Sequence, residues 1–362
     1  MTEVAARGVV AQLVRSEFGR ELNGIPSLDA DLTRDVIRVA QNNKLLKPVL
    51  KRLEAVGVPV PGDVQPDVAT YLGKTMKNNA RALAAVREVA KTLSDAGVEH
   101  VAFKGPVRQI ALKQDVFERP VTDVDILVKE DDFGRATEAL EGIGYYVPSI
   151  CDSPWWRHYL GEHHLFANDR RRFAVDLHHR TQQPSCPRPR HQGAMLDDPR
   201  WIDVGGQQVA TLGTTSTFLH TIMSVVKGLV NHEPTGAHVM DLARQLHAAD
   251  ERQLADLERA VKEQGIEKSY AVARRAVMVM TGLDIGPTRP WFISDELLLA
   301  MLLTPDDPAL RVPQRRRMLW HLVDDETPLA RIINFAREFA WMAAAEFSRR
   351  THDVSGPGAQ TK

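Results

Sequence analysis

The stretch that decides the fold is V-E-H-V-A-F-K-G-P-V-R-Q-I-A-L-K-Q-D-V-F-E-R-P-V-T-D-V-D-I-L-V, residues 98–128. Residues 98–103 form a short apolar run of the kind found in buried strands. The run stops at Lys104-Gly105, where a residue without a Cβ lets the backbone turn sharply and approach a ligand closely. Pro106 suits the first turn of a helix. The pattern predicts a strand, a glycine turn, a short helix and a second strand.

The second predicted strand, residues 122–128, carries two acids. Because side chains alternate between the faces of a strand, Asp123 and Asp125 share one face and the apolar residues between them share the other. Two neighbouring carboxylates on a half-buried strand raise each other's pKa unless a cation lies between them. Mg²⁺ takes such oxygen ligands and completes its shell with water and substrate phosphates. We therefore expect a site for Mg²⁺ or Mn²⁺, with a solvated edge strand as the alternative.

A third acid occurs in R-F-A-V-D-L-H-H, residues 172–179. Alternation places Asp176 and His178 on one face of this predicted strand. If the strand lies beside Asp123 and Asp125, three acids converge on one or two metal ions, as in-line nucleotidyl transfer requires. The alternative for Asp176 is an ion pair with an arginine among residues 170–172. His178 is expected to hydrogen-bond to a carboxylate or to the substrate.

These motifs resemble those of the DNA polymerase beta-like nucleotidyltransferase superfamily, with a glycine turn, D-x-D on the next strand and a lone Asp on a later strand. More narrowly, F-K-G, the arginine at 119 before D-V-D-I-L-V, and V-D-L-H-H are similar to a group of uncharacterised bacterial nucleotidyltransferases, in which Lys-Gly replaces the usual Gly-Ser. The likeness covers most of the chain. It implies an α/β (α+β) fold: a minimal nucleotidyltransferase core with a mixed sheet, flanked by helical N- and C-terminal regions.

The resemblance also implies roles for particular residues. The catalytic and metal-binding acids are Asp123, Asp125 and Asp176. The predicted nucleotide-binding residues are Lys104, Gly105 and Arg119. On the acceptor side the candidates are His178 and Asp241.

Several of these residues have structural alternatives. Lys104 has the charge to neutralise a triphosphate, but a salt bridge to one of the aspartates is an equally simple role. Arg119 either binds a phosphate or orders the loop before Asp123. Asp241 either acts as a base for the second substrate or forms a helix cap or salt bridge.

The reaction that the resemblance implies is transfer of a nucleoside monophosphate from an NTP, with ATP as a candidate, to a hydroxyl of a small molecule or protein, with release of pyrophosphate. Two alternatives stay open, namely a toxin-like enzyme that modifies a protein or transfer RNA, and a non-catalytic protein that binds a nucleotide or a partner. The 46 basic and 47 acidic residues nearly cancel. This balance argues against a dedicated nucleic-acid binder, which normally shows a basic excess.

Composition also bears on the compartment. Only Cys151 and Cys186 occur, so neither a disulfide framework nor a cysteine-rich zinc site is supported. The N-terminal residues scatter charges among apolar side chains, unlike a signal peptide. No run approaches the ~18 apolar residues of a membrane helix. We expect a soluble, cytoplasmic protein without a membrane partner.

The hydrophobic periodicity divides the chain into consecutive segments. The predicted segments are a helical N-terminal region (1–96), the nucleotidyltransferase core (97–180), a loop or linker with short strands (181–211), a helical C-terminal region (212–350) and a flexible tail (351–362).

Overall fold

A computed structural model describes residues 2–19, 28–149, 151–169, 172–182, 186–286, 293–307 and 310, with scattered positions between 327 and 344. The predicted tail at 351–362 lies outside the described residues. The α-helices are α1 (Thr2–Arg15), α2 (Ala30–Asn42), α3 (Leu46–Ala55), α4 (Gln65–Asp95), α5 (Gly105–Ala111), α6 (Phe133–Gly142), α7 (Thr214–Asn231), α8 (Gly236–Ala248), α9 (Glu251–Gln264), α10 (Glu267–Thr281) and α11 (Asp295–Leu303). The strands are β1 (His100–Ala102), β2 (Val124–Val128), β3 (Tyr145–Tyr146), β4 (Glu162–Ala167), β5 (Val175–His178), β6 (Pro199–Val204) and β7 (Gln207–Leu212).

The central sheet has five strands in the order β1-β2-β5-β4-β3. Strands β2 and β5 are parallel, whereas β1, β4 and β3 each run antiparallel to their neighbours. A mixed sheet of this kind arises because the chain returns to β5 only after α6, β3 and β4 have been added at the far edge. The predicted strand, turn, helix and strand over residues 98–128 are confirmed as β1, α5 and β2, and the fold class is confirmed with them.

The two faces of the sheet pack against different helices. Val124, Ile126 and Val128 point to one face and join a core with buried residues of α4 and α6. On the opposite face, Leu127 joins a second core with residues of α1, α2, α7 and α8. Burial of β2 on both faces explains its nearly continuous apolar sequence.

The second core is built from both ends of the chain. Helices α1–α3 and α7–α11, which we call the helical lobe, share it. Arg7 of α1 illustrates the connection, because its guanidinium donates to Thr304 Oγ1 at 2.8 Å just after α11. The helical N- and C-terminal regions are thus packed together, beside the five-stranded sheet with α4–α6, which we call the sheet lobe. The segment boundaries drawn from the sequence remain a prediction.

The chain between the sheet and α7 is more regular than a linker. Strands β6 and β7 form an antiparallel hairpin that pairs Pro199 with Leu212 at its open end. Ile202, Val204 and Val209 are buried in the core that lies between the sheet and α4. The two strands lie at the end of this segment, next to the start of α7. None of the described helices combines the length and the apolar character that crossing a bilayer demands.

Candidate active site

Two aspartates lie side by side where β2 and β5 meet. Parallel pairing sets Asp125 opposite Asp176 and Ile126 opposite Leu177. Because Ile126 and Leu177 are buried in the core beneath α4 and α6, alternation turns both carboxylates to the opposite face. The two acids, 51 positions apart in sequence, are neighbours because the register of the sheet makes them so.

Asp125 is held by a cation and an imidazole. The Lys104 ammonium lies 2.5 Å from Asp125 Oδ1, and His178 Nε2 lies 3.1 Å from the same oxygen. Burial would raise the pKa of Asp125, but the charge of Lys104 and the hydrogen bond from His178 outweigh it and hold that pKa well below its usual range. Desolvation alone would lower the pKa of Lys104, but the neighbouring Asp125 carboxylate outweighs it, and the pKa of Lys104 is raised. Asp125 is therefore ionised and Lys104 protonated near neutral pH.

Asp176 has a different partner. Strand β4 lies on the other side of β5 from β2. It pairs His164 with Asp176 and Glu162 with His178. His164 Nδ1 lies 2.5 Å from Asp176 Oδ1, and this hydrogen bond is the main cause of the raised pKa of His164. His178 Nδ1 in turn lies 3.3 Å from Glu162 Oε2. Alternation in β4 sends His163 to the opposite face, where it packs against Phe133.

Asp123 stands one residue before β2 and is half-buried. Burial first, and then the charges of Asp125 and Asp176, raise the pKa of Asp123 to about 6. The shift identifies Asp123 as a member of the same electrostatic cluster. The shared strand face predicted for Asp123 and Asp125 agrees with this coupling, although the strand itself begins only at Val124.

The donor set fits a divalent metal ion. One ligand atom each from Asp125, Asp176 and His178 lie within 4.8 Å of one another, and all three residues are buried. Carboxylate oxygens suit Mg²⁺ or Mn²⁺, and a single imidazole nitrogen is compatible with Mn²⁺ and zinc as well. The charges of Asp125 and Asp176 add to burial in raising the pKa of Asp123, and a bound cation would oppose both effects. The set thus contains two of the three predicted acids, Asp125 and Asp176, together with His178.

Gly105 shapes the turn that carries Lys104. Its φ is +57°, and a Cβ added to it would lie 3.2 Å from Val121 Cγ1. Both the left-handed backbone and the crowding against Val121 favour glycine. Because Val121 lies just before Asp123, the turn after β1 and the loop before β2 are packed against each other.

Arg119 and Asp241 meet in a buried ion cluster between the lobes. Arg119 Nη2 lies 2.7 Å from Asp241 Oδ2, and Arg108 Nη2 lies 3.1 Å from the same oxygen. Arg119 also donates to the Ala237 carbonyl at 3.3 Å, while Asn79 of α4 donates to the Arg119 carbonyl at 2.8 Å. These contacts place Asp241 and Arg119 inside the protein, where they fix the loop that leads to Asp123.

The described arginine near Asp176 is engaged elsewhere. Arg172 pairs with Glu88 of α4 at 2.7 Å, and Arg170 and Arg171 lie outside the described residues. The structure thus gives His164, and not Arg172, as the partner of Asp176. His164 and Glu162 were missed as site residues from the sequence. The alternation of β4 put them on one face, but only the pairing with β5 brings that face to Asp176 and His178.

A family model described as "Uncharacterised nucleotidyltransferase" matches residues 30–282, which is more than half of the chain. The chain belongs to this family. The predicted enzyme class, a nucleotidyltransferase, is thereby confirmed, and the substrate class includes a nucleotide. Among curated proteins none matches the chain significantly. In this nucleotidyltransferase, the matched region extends from α2 to the end of α10 and contains every residue of the site described above.

Proposed function

We propose that this nucleotidyltransferase moves a nucleoside monophosphate from an NTP to a hydroxyl group of a small molecule or protein. The acceptor oxygen attacks the α-phosphorus, forming a new P–O bond. The bond from the α-phosphorus to the bridging oxygen of the β-phosphate breaks, and pyrophosphate leaves with the electron pair. The acceptor hydroxyl loses its proton to the enzyme. The near-neutral composition supports an acceptor other than RNA.

The observation that carries this proposal is the pair of neighbouring aspartates with unlike partners. Asp125 bonds to Lys104 as well as to His178, whereas Asp176 bonds to His164. A cation beside Asp125 suits the triphosphate, because phosphates need positive charge nearby. An imidazole beside Asp176 suits the acceptor, because it can take up a proton. The site is therefore divided along the sheet into a nucleotide side and an acceptor side.

A divalent ion, Mg²⁺ or Mn²⁺, completes the site in this proposal. Asp123 and Asp125 would hold it on the nucleotide side, and Asp125, Asp176 and His178 form the converging set on the other. When bound, such an ion neutralises phosphate charge and lowers the pKa of a coordinated hydroxyl. His178 also orients Asp125, because it reaches Asp125 Oδ1 and Glu162 Oε2 from its two ring nitrogens.

Lys104 and Gly105 act on the phosphates. The Lys104 side chain is half-buried, so its ammonium can leave Asp125 for an incoming phosphate without crossing the protein interior. There it binds the β- and γ-phosphates and neutralises the charge that develops on the leaving pyrophosphate. Gly105 lets the backbone approach those phosphates closely.

Asp176 receives the proton of the acceptor hydroxyl. The hydrogen bond between Asp176 Oδ1 and His164 Nδ1, at 2.5 Å, supports this role, because the imidazole can share the proton that the carboxylate takes up. Arg119 and Asp241 support the site from behind by ordering the loop before Asp123. Their burial favours this role over direct contact with nucleotide or acceptor.

The test uses each of the four NTPs, labelled on the α-phosphate, with Mg²⁺ and a cell extract that supplies acceptors. We expect label to appear in an acceptor and pyrophosphate to be released. Label in the low-molecular-weight fraction identifies a small acceptor, in protein a protein acceptor, and in RNA the tRNA-modifying alternative. The nucleotidyl-transfer proposal is refuted if purified protein with added extract labels nothing with any NTP.

The variants Asp125→Asn and Asp176→Asn then separate the two sides of the site. Asp125→Asn should lose metal-dependent NTP binding and turnover together. Asp176→Asn should lose turnover by about 10³-fold or more while keeping most of its NTP affinity. Asp95→Asn is the matched control, since Asp95 is an exposed residue at the end of α4 that pairs with Lys91. Normal turnover in both site variants would contradict the assignment.

A further inference from the structure

Lys44 is a cation of the helical lobe that neighbours the acidic cluster of the sheet lobe. It lies in the turn between α2 and α3 and keeps its side chain exposed to solvent. The charges that act on its ammonium belong to Arg119, Asp123, Asp125 and Arg108. The Lys44 ammonium therefore lies close enough to Asp123 and Asp125 for their charges to act on it.

The backbone at Lys44 is held in an unusual conformation. Its φ is +55°, a left-handed value that costs about 1 kcal/mol or more for a residue with a Cβ. A conformation of that kind persists only where the surrounding structure enforces it. Here the turn is closed by the Lys44 amide, which donates to the Gln41 carbonyl at 3.0 Å, and by the Leu45 amide, which donates to the Ala40 carbonyl at 2.8 Å.

Asn43 fixes this turn to the rest of the helical lobe. Its side-chain nitrogen donates to the Leu303 carbonyl at 2.7 Å, and its side-chain oxygen accepts from the Gly236 amide at 3.0 Å. A Cβ on Gly236 would lie 2.9 Å from the Asn43 Cβ, so the two segments are in close contact. The next residue, Ala237, accepts a hydrogen bond from Arg119. A continuous set of contacts thus positions Lys44 relative to the loop that precedes Asp123.

Among the described residues, Lys44 differs from the other cations around the site in having no ion-pair partner. Lys104 pairs with Asp125, and Arg108 and Arg119 pair with Asp241. Within the described part of the chain, no acid forms an ion pair with Lys44. Partial desolvation of the ammonium, and then the charge of Arg119, lower the pKa of Lys44, while Asp123 and Asp125 oppose this effect. A rigidly positioned cation without a partner is suited to an anion that arrives from solution.

We propose that Lys44 binds the terminal phosphate of the NTP, so that the triphosphate bridges the helical and sheet lobes. The proposal rests on the nucleotidyl-transfer function stated above. In this arrangement the α-phosphate lies at the aspartates of β2 and β5, and the outer phosphates lie toward the turn that Asn43 joins to Gly236, next to the Ala237 carbonyl that binds Arg119. Lys44 then distinguishes a nucleoside triphosphate from a monophosphate and stabilises the pyrophosphate that leaves.

The test compares Lys44→Gln with wild type by calorimetric titration in Mg²⁺, using each NTP and the corresponding NMP. The glutamine keeps a side chain of similar reach but removes the charge. Loss of a charge-assisted contact should weaken NTP binding by about 10- to 100-fold and leave NMP binding unchanged. Lys44→Arg should restore most of the NTP affinity, since it keeps the charge. A melting curve of each variant checks that the turn between α2 and α3 remains folded.

Lys51→Gln is the matched control. Lys51 lies one helix further along, on α3, is exposed, and has no ion pair in the described part of the chain. If Lys44→Gln binds NTP as tightly as wild type, or loses NTP and NMP affinity equally, Lys44 does not bind the terminal phosphate. If wild type itself binds no NTP in Mg²⁺, the nucleotidyl-transfer proposal fails first. The two failures are therefore distinguishable in one set of titrations.

Discussion

Replacing Asp241 by Asn should destabilise the protein more than any other single removal of charge discussed above. Asp241 is fully buried, and its Oδ2 is shared by Arg119 at 2.7 Å and Arg108 at 3.1 Å. The side chains of both arginines are themselves only 7% and 4% exposed. Removing one partner of a buried ion pair costs about 3–5 kcal/mol, because the remaining charge stays buried without compensation. Two guanidinium groups are left uncompensated here, so the upper part of that range is expected.

The pH dependence of stability tests the same prediction in a second way. Burial alone would raise the pKa of Asp241, but Arg119 and Arg108 outweigh it and lower that pKa to about 2. An acid with a depressed pKa contributes stability above its unfolded value of about 3.9, and the contribution is lost as pH falls toward the folded value. The depression corresponds to roughly 2 kcal/mol. The difference in stability between wild type and Asp241→Asn should therefore shrink between about pH 4 and pH 2.

Urea-induced unfolding measured at several pH values is the assay, with Asp95→Asn as the control. The exposed pair of Asp95 with Lys91 should contribute less than about 0.5 kcal/mol, because water screens both charges. The reasoning is refuted if Asp241→Asn unfolds within about 1 kcal/mol of wild type at neutral pH. It is also refuted if the difference between the two proteins does not change as the solution is acidified.

Two further predictions concern the turn after β1. Gly105→Ala should lower the free energy of unfolding by about 1–2 kcal/mol and reduce turnover, because φ is +57° and the new Cβ meets Val121; Gly73→Ala, in open space within α4, is the control and should be neutral or stabilising in the same denaturation assay. Lys104→Met should bind Mn²⁺ alone at least as tightly as wild type, because the ammonium no longer competes for Asp125. Its nucleotide transfer should nevertheless fall; weaker Mn²⁺ binding in a titration contradicts this account.

The local sequence pattern was sufficient to predict the strands that carry Asp125 and Asp176. Alternation in residues 122–128 and 172–179 placed Asp123 with Asp125 and Asp176 with His178; Asp176 and His178 both lie in β5, whereas Asp123 lies one residue before β2. The same pattern left Asp176 with several candidate partners. Its partner is His164, which depends on the order and register of β4 and β5, and these are set by packing across the whole sheet.

The contacts between the helical lobe and the sheet lobe could not be predicted from the local sequence pattern. Arg119 and Asp241 were each singled out, but their ion pair joins residues 122 positions apart, and hydrophobic periodicity carries no information about such contacts. Nothing in the sequence identified Lys44 as a site residue, because a lysine between two helices is ordinarily a solvated turn residue. Its left-handed backbone and the anchoring of Asn43 become visible only once α8 and α11 are in place.

The helical lobe joins both ends of the chain, and this has a consequence for the order of synthesis and folding. Arg7 can form its hydrogen bond to Thr304 only after another 297 residues have been synthesised. At about 5–20 residues per second, a ribosome needs roughly 15–60 s to make that stretch. The apolar faces of α1–α3 stay without their final partners during this time, while β1, β2 and β5 can already assemble on α4. The strands that carry Asp125 and Asp176 are thus synthesised well before α11, which anchors the turn bearing Lys44 through the Leu303 carbonyl.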